Sequence, residues 1–504
     1  MTGLLLREVR IVPLHGRSGV PTEPVDVLVE DGVVTRIGLR LPVDAGPVGR
    51  GPVETVEAGG RWLVPGLWDQ HVHLGQWTLA RQRLDLGGTT SVAEATAAVR
   101  RRLDDQPGRP VVGWGHRPAG WHEQPRTSDL DALTTTVPVV LIAGDGHHAW
   151  LNTPALHALE LPATDDVVRE TAWFAAYPRL GDALGEDGTS AAAYRASLEE
   201  AAARGVVGVV DFEFGAGPGA WPERWSQRCD VLRVRYATYE NTLDHVLSAG
   251  LRTGDPLAQG DPRLTMGPLK IISDGSLNTR TAWCCEPYAG EPATHGLPNL
   301  SGEELTALLE TATRHGLAVS THAIGDAAVA QALATYERTG ARGSIEHAQL
   351  VGRDDVRTMA RLGVRASVQP AHLLDDRDLS EAVWPDRGGR SFAFRWMLDD
   401  GVDLVLGSDA PVSPLDPWLA MAAAVHRSAD DREPWHADQA LTPQEALAAS
   451  VDGHPGVVPG APADLALLDH DPLVGATTAE QAATLRGTTV ALTVVDGRIV
   501  HDGR

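Results

Sequence analysis

Leu63-Val64-Pro65-Gly66-Leu67-Trp68-Asp69-Gln70-His71-Val72-His73 is the stretch on which the fold of this chain is decided. It reads as a strand. Side chains alternate faces along a strand, so residues two apart project the same way. His71 and His73 can therefore aim two imidazoles at one point, and imidazole is the commonest metal ligand, zinc included. Two stray histidines on an exposed strand are the plain alternative, because short motifs match often by chance. The rest of the chain decides between them.

Outward from that stretch, the two termini share one character. Residues 1–64 read as a small β module. Val25–Glu30 alternates loosely between apolar and acidic residues, and the turn pair Asp31-Gly32 leads into Val33-Val34-Thr35-Arg36-Ile37. Asp-Gly between two β-rich runs is a strong hairpin signal. At the other end, residues 463–468 and 490–495 are strand candidates, and a second pair, Asp496-Gly497, precedes Arg498-Ile499-Val500. One discontinuous β-sandwich domain built from 1–64 plus 440–504 is preferred to two unrelated hairpins, since termini often lie close together.

Between the termini, apolar β-branched runs recur at residues 89–92, 137–142, 206–210, 231–236, 269–272, 317–320, 344–346, 364–368 and 402–406. Helical spacing separates many of them. In 303–315, Leu305, Leu308, Leu309 and Ala312 fall on one face, and 326–338 reads as another helix. Such alternation predicts an α/β fold, a (β/α)8 TIM-like barrel over 65–439. With the His71 strand there are more runs than eight staves, so an insertion is expected within about 95–230.

In such a barrel, functional side chains project from the C-terminal ends of strands. Lys270 lies in Gly267-Pro268-Leu269-Lys270-Ile271-Ile272, His322 closes Val319-Ser320-Thr321-His322, His347 closes Ser344-Ile345-Glu346-His347, and Asp409 closes Leu406-Gly407-Ser408-Asp409. Singly, each has a dull explanation as a cap, a core histidine or a chance lysine. Together with His71 and His73 they form a set that is hard to obtain without a metal site. Lys270 is also the only lysine among 43 basic Lys and Arg residues. A buried lysine can lose its proton and act as a nucleophilic amine, whereas arginine stays protonated.

The order His-x-His, Lys, His, His, Asp resembles the amidohydrolase superfamily. The strings Leu269-Lys270-Ile271-Ile272-Ser273-Asp274-Gly275-Ser276-Leu277, Thr321-His322-Ala323-Ile324-Gly325-Asp326, Ile345-Glu346-His347, Gln369-Pro370-Ala371-His372 and Gly407-Ser408-Asp409-Ala410-Pro411-Val412 are similar to its amidohydrolase 3 branch, which includes N-substituted formamide deformylases. Asp145-Gly146-His147-His148-Ala149-Trp150-Leu151-Asn152 resembles that branch's inserted substrate-side segment. The resemblance implies two divalent metal ions, with zinc expected. His71 and His73 would bind the first, His322 and His347 the second, and Lys270 would bridge them as a CO2-derived carbamate. Asp409 would bind the first metal and shuttle a proton between a bridging hydroxide and the leaving amine. It places His147 on the substrate side in preference to the adjacent His148. His372 contacts substrate or is structural. Asp274 and Asp326 orient ligands or cap helices. Trp150, with Trp114 and Trp121, walls a pocket or packs the core.

Composition narrows the partners. A net charge of −24 repels phosphate backbones, so no nucleic acid is expected. No run approaches the ~18 apolar residues of a membrane span, and Met1-Thr2-Gly3-Leu4-Leu5-Leu6-Arg7-Glu8 is no signal peptide. Three cysteines, Cys229, Cys284 and Cys285, are too few for a disulfide framework and fit a reducing cytoplasm. The partner expected is a small-molecule substrate, with a homodimer left open. The function expected is metal-dependent hydrolysis of a C–N bond in an amide, N-acyl or N-formyl amine. A mononuclear deaminase or cyclic-amide hydrolase is one alternative, and a non-catalytic metal-stabilised binding or regulatory protein another.

Overall fold

A computed structural model describes residues 3–14, 21–42, 53–118, 121–146, 148–185, 189–214, 217, 219–291, 293–430 and 432–504. The chain forms two compact units, one of Met1–His73 with Arg195–Arg504 and the other of Leu74–Tyr194.

The larger unit contains the barrel. Its staves, in chain order, are β1 (Leu67–Val72), β2 (Val206–Asp211), β3 (Arg233–Thr238), β4 (Asp261–Ile272), β5 (Val319–Ala323), β6 (Gly343–His347), β7 (Arg365–Val368) and β8 (Leu404–Leu406). Each pairs in parallel with the next from β1 to β8. The ring closes just past the ends of β8 and β1. There the Asp409 amide donates to the His71 carbonyl at 2.7 Å and the His73 amide to the Ala410 carbonyl at 2.9 Å. Asp69 reinforces the seam, its Oδ1 accepting the amides of Ser408 and His71 at 2.9 and 3.0 Å. Burial pushes that carboxyl up to about 6 against those hydrogen bonds.

The barrel helices form where the sequence gives both an apolar face and end signals. In Gly302–His315, Ser301 and Glu304 make a reciprocal capping box, Leu305, Leu309 and Ala312 are buried, and Gly316 ends the helix at φ 73°.

The opening eleven-residue stretch is not one strand. Trp62–Pro65 runs antiparallel to Leu465–Leu468 in the terminal sheet, and Leu67–Val72 is a barrel stave. The break falls at Gly66, whose amide donates to Asp464 while the next amide, of Leu67, donates to Gly205. A Cβ on Gly66 would lie 2.1 Å from Val207 Cγ1, so only glycine lets the chain cross between the sheets there.

The terminal strands build one eight-stranded sheet from Gly3–Ile11, Val25–Glu30, Val33–Gly38, Val53–Glu57, Trp62–Pro65, Leu465–Leu468, Val490–Val495 and Arg498–Asp502. Gly3–Ile11 kinks at Glu8, φ 55°, where its pairing with Val25–Glu30 shifts register between Leu6 and Val9, and from Arg10 it pairs with Trp62–Pro65. The two wings thus share a core that includes Leu4, Val27, Leu63, Leu465 and Val494. The two Asp-Gly turns meet, since a Cβ on Gly32 would touch Asp496 Oδ1 at 2.7 Å. Helix Pro443–Ala449, within the terminal range read as sandwich, instead buries Ala446 and Leu447 in the barrel's core.

The unit Leu74–Tyr194 has its own five-stranded sheet, in the order Val168–Arg169, His148–Leu151, Val139–Ala143, Val111–His116, Leu84–Asp85. Along Val139–Ala143, Val139 and Leu141 pack into one apolar cluster and Val140 and Ile142 into another. Burial on both faces explains why that run is continuously apolar. Two of the surplus runs are therefore accounted for. Residues 137–142 belong to this sheet, and residues 89–92 form no strand, because Ser91 caps helix Val92–Asp105 by accepting from Glu94. Conversely Val206–Asp211, inside the range assigned to an insertion, is a barrel stave. Among the described residues no helix is long and apolar enough to cross a membrane.

Candidate metal centre

His71 ends β1 one residue before its last, and His73 follows it. Their Nε2 atoms lie 3.4 and 3.3 Å from Asp409 Oδ1, so both imidazoles aim at one carboxylate, as two-residue spacing requires. Asp409 reaches them from the β8 side with φ 57°, a left-handed conformation uncommon for a non-glycine residue. One ring nitrogen each of His71 and His347 and one Asp409 oxygen lie within 4.8 Å of one another, and all three residues are buried.

His347 reaches the centre by a backbone departure. Glu346 and His347 are adjacent at the end of β6, so strict alternation would point them to opposite faces. His347 has φ 69°, and its ring stands 5.1 Å from that of His71 and 4.5 Å from that of His322. Glu346 meets the same imidazole from the other side, its Oε2 lying 2.7 Å from His71 Nδ1. The string Ile345-Glu346-His347 had pointed to His347 only. The signal for Glu346 was a fully buried acid inside an apolar strand, which a sequence does not display as burial.

Lys270 projects from β4 with 3% exposure, its Nζ 3.2 Å from His71 Nε2 and 4.3 Å from the centre of the Phe212 ring. Burial pushes its ammonium down to about 8. Burial likewise pushes the His71 and His322 imidazoles down to about 4 and about 3, with the Lys270 charge adding to both, and holds His347 well below the usual histidine range. Neutral imidazoles are the form that binds metals.

His322 sits on the rim of this group. Its Nε2 is 3.3 Å from the Gly275 carbonyl and 3.5 Å from Asp274 Oδ1. Asp274 accepts the amides of Ile324, Gly325 and Trp283 at 2.9–3.0 Å, and burial pushes its carboxyl up to about 7. It fixes the turn that follows His322. Asp326 stands apart, in the first turn of helix Asp326–Thr339, where it accepts the Cys285 amide and pairs with Arg390 at 3.0 Å. His372 opens helix His372–Val383, with Nε2 3.8 Å from Asp409 Oδ2 and its ring stacked 6.0 Å from His347.

The remaining residues singled out from sequence belong to the other unit. His147 lies outside the described residues. Trp150 is fully buried in that unit's core, its Nε1 donating to the Arg126 carbonyl at 2.6 Å, so core packing rather than a pocket wall is its role. Trp121 packs in the same cluster.

The donor set suits a divalent cation. It combines imidazole nitrogens with carboxylate oxygen, the ligands zinc takes, and the buried Nδ1 atoms of His73 and His347 make no hydrogen bond. Residues 54–501 match the amidohydrolase family. The protein LONG AFTER FAR-RED 3 of Arabidopsis thaliana is 30% identical over 79% of this chain and 74% of its own length. An N-substituted formamide deformylase of Arthrobacter pascens is 25% identical over 94% of each chain. An uncharacterized metal-dependent hydrolase from Pyrococcus horikoshii superposes with a TM-score of 0.76 at 26% identity, over 95% of this chain and 99% of its own. Barrel and relatives agree, and the chain belongs to the amidohydrolase family.

Proposed function

We propose that this hydrolase of non-peptide C–N bonds acts on an amide or an N-acyl amine, N-formyl amines included, through the centre at His71, His347 and Asp409. The observation that carries this is the buried convergence of neutral imidazoles on one carboxylate beside the chain's single lysine. His71, His73 and Asp409 would hold one divalent ion and His322 and His347 another, zinc being the metal proposed. Such ions acidify a water and polarise a carbonyl. Lys270 would be their shared ligand. Its neutral amine would attack CO2: the N–C bond forms as one C–O π bond opens onto oxygen, the nitrogen of the adduct gives its extra proton to water, and an anionic carbamate results. The low-dielectric site that pushes Lys270 down to about 8 leaves a usable fraction of free amine near neutrality. Asp409, within reach of two imidazoles, takes a proton from the attacking water and passes it to the leaving nitrogen. The N-substituted formamide deformylase relative supports an N-formyl substrate. The substrate is read as a small molecule and the compartment as the cytoplasm, in keeping with the free thiols of Cys229, Cys284 and Cys285.

A mononuclear centre, of the kind a deaminase or cyclic-amide hydrolase would use, is the second reading. The contact of His322 Nε2 with the Gly275 carbonyl favours it, because that nitrogen already has a partner and the cluster of His71, His347 and Asp409 stands without it. Elemental analysis decides. With bicarbonate present, about two metals per wild-type chain, falling in Lys270→Ala, is the expected result. One metal in both proteins would replace the bridged centre with the mononuclear one. A wild type that loads metal yet turns over no N-substituted formamide or other amide would favour a binding role.

A further inference from the structure

Glu346 is a buried acid that no role above uses. It is 1% exposed and lies across the barrel from His71, its Oε2 2.7 Å from Nδ1. An ionised carboxylate only accepts hydrogen bonds, so Nδ1 must carry the hydrogen. On the other side of the ring, Nε2 is 3.2 Å from Lys270 Nζ. The same nitrogen lies 3.4 Å from Asp409 Oδ1, so the tautomer is set by the shorter contact at Nδ1. Glu346 is itself held, because Ser344 Oγ donates to its Oε1 at 2.5 Å and Ser320 Oγ lies 2.9 Å from Ser344 Oγ. Ser344 and Glu346 share one face of β6 by alternation, and Ser320 is the β5 partner of Ser344.

We propose that Glu346 is a positioning residue. It accepts a hydrogen bond from Nδ1 of His71, locks that imidazole in one tautomer and leaves Nε2, on the side of Lys270 and Asp409, without a hydrogen. The hydroxyls of Ser344 and Ser320 steady the carboxylate, so three residues on two staves set the basicity and aim of a ligand on a third. The consequence for metal affinity rests on the metal-centre reading, whereas the tautomer does not.

The test uses full-length, chelator-treated protein labelled with 15N-histidine, with the His71 signals assigned by their loss in His71→Gln. In the wild type His71 is expected to carry its hydrogen on Nδ1. In Glu346→Ala that signature is lost, and zinc affinity, measured by competition with a chromophoric chelator, falls about ten- to a hundredfold. Glu346→Gln keeps an acceptor oxygen without the charge and is expected to lose less than Ala, and Ser344→Ala less again. A hydrogen on Nε2 of His71 in the wild type would overturn the proposal even if the Glu346 and Ser344 variants failed to fold. So would a folded Glu346→Ala with unchanged affinity and an unchanged His71 spectrum. A wild type that takes up no zinc would defeat the metal-centre reading, and the tautomer would still judge Glu346.

Discussion

At the scale of the residue, Asp409 does two things, of which its amide sister could do only one. Its backbone amide seals the barrel by donating to the His71 carbonyl, and its carboxylate serves two imidazoles at 3.3–3.4 Å. Asp409→Asn keeps the first and removes the charge of the second, on which the proposed proton transfer depends. Turnover of a formamide or other amide substrate is expected to fall by ~10²–10⁴, the usual scale for losing general acid–base catalysis, with the circular dichroism spectrum unchanged. A kcat within a fewfold of wild type would remove Asp409 from the proton path. Sequence singled out the residues that converge at the barrel's end because a lone lysine, a His-x-His pair and polar strand ends are visible locally. It missed Glu346 because the bond to His71 spans 275 positions. It could not foresee how Glu346 and His347, adjacent on one strand, both reach the same ring. The left-handed φ of His347 overrides the period of two, at a cost of about 1–3 kcal/mol that the surrounding structure must supply.

At the scale of the element, the seam between β1 and β8 is held by backbone hydrogen bonds and by Asp69. The two staves meet where Gly407 follows β8. A Cβ there would lie 2.7 Å from the His71 amide nitrogen and 2.9 Å from the His71 Cβ. Gly407→Ala must therefore push β1 away from β8 or shift the loop that carries Asp409. The expected cost is roughly 1–3 kcal/mol of stability, as for other overpacked sites, read as a lower thermal midpoint. Metal retention during dialysis should weaken with it, because His71 moves. A midpoint and metal content equal to wild type would show that the seam relaxes freely. Element-level reading erred where periodicity alone had to decide. Residues 89–92 look β-branched and become a helix entrance, since Ser91 supplies the capping oxygen. Residues 63–73 look like one strand and become two, since the side chain of Val207 leaves room only for glycine at position 66.

At the scale of the whole molecule, the two ends of the chain depend on each other. Strand Leu465–Leu468 lies between Trp62–Pro65 and Val490–Val495, and Leu492, Val494 and Val495 are essentially unexposed. Each such side chain contributes about 1.5–3 kcal/mol by burial, a sum comparable to the ~5–15 kcal/mol that holds a typical domain folded. A chain ending before Val490 also exposes a bare strand edge. It is expected in the insoluble fraction on expression, and a soluble product with a wild-type thermal midpoint would show that the C-terminal strands are dispensable. By itself, the sequence determined the classes of element and of chemistry: hairpins from their Asp-Gly turns, staves and helices from their apolar periods, a metal centre from imidazoles, a carboxylate and one lysine at strand ends. Those signals are local, written within a few residues by backbone sterics and side-chain type. Only the tertiary structure decided which apolar runs are staves and which belong to the separate sheet of Leu74–Tyr194. It alone decided where the first stave begins, that Trp150 is core, and that Glu346 stands behind His71. Each of these depends on which distant side chain fills a given space, and that contact exists only once the chain has folded.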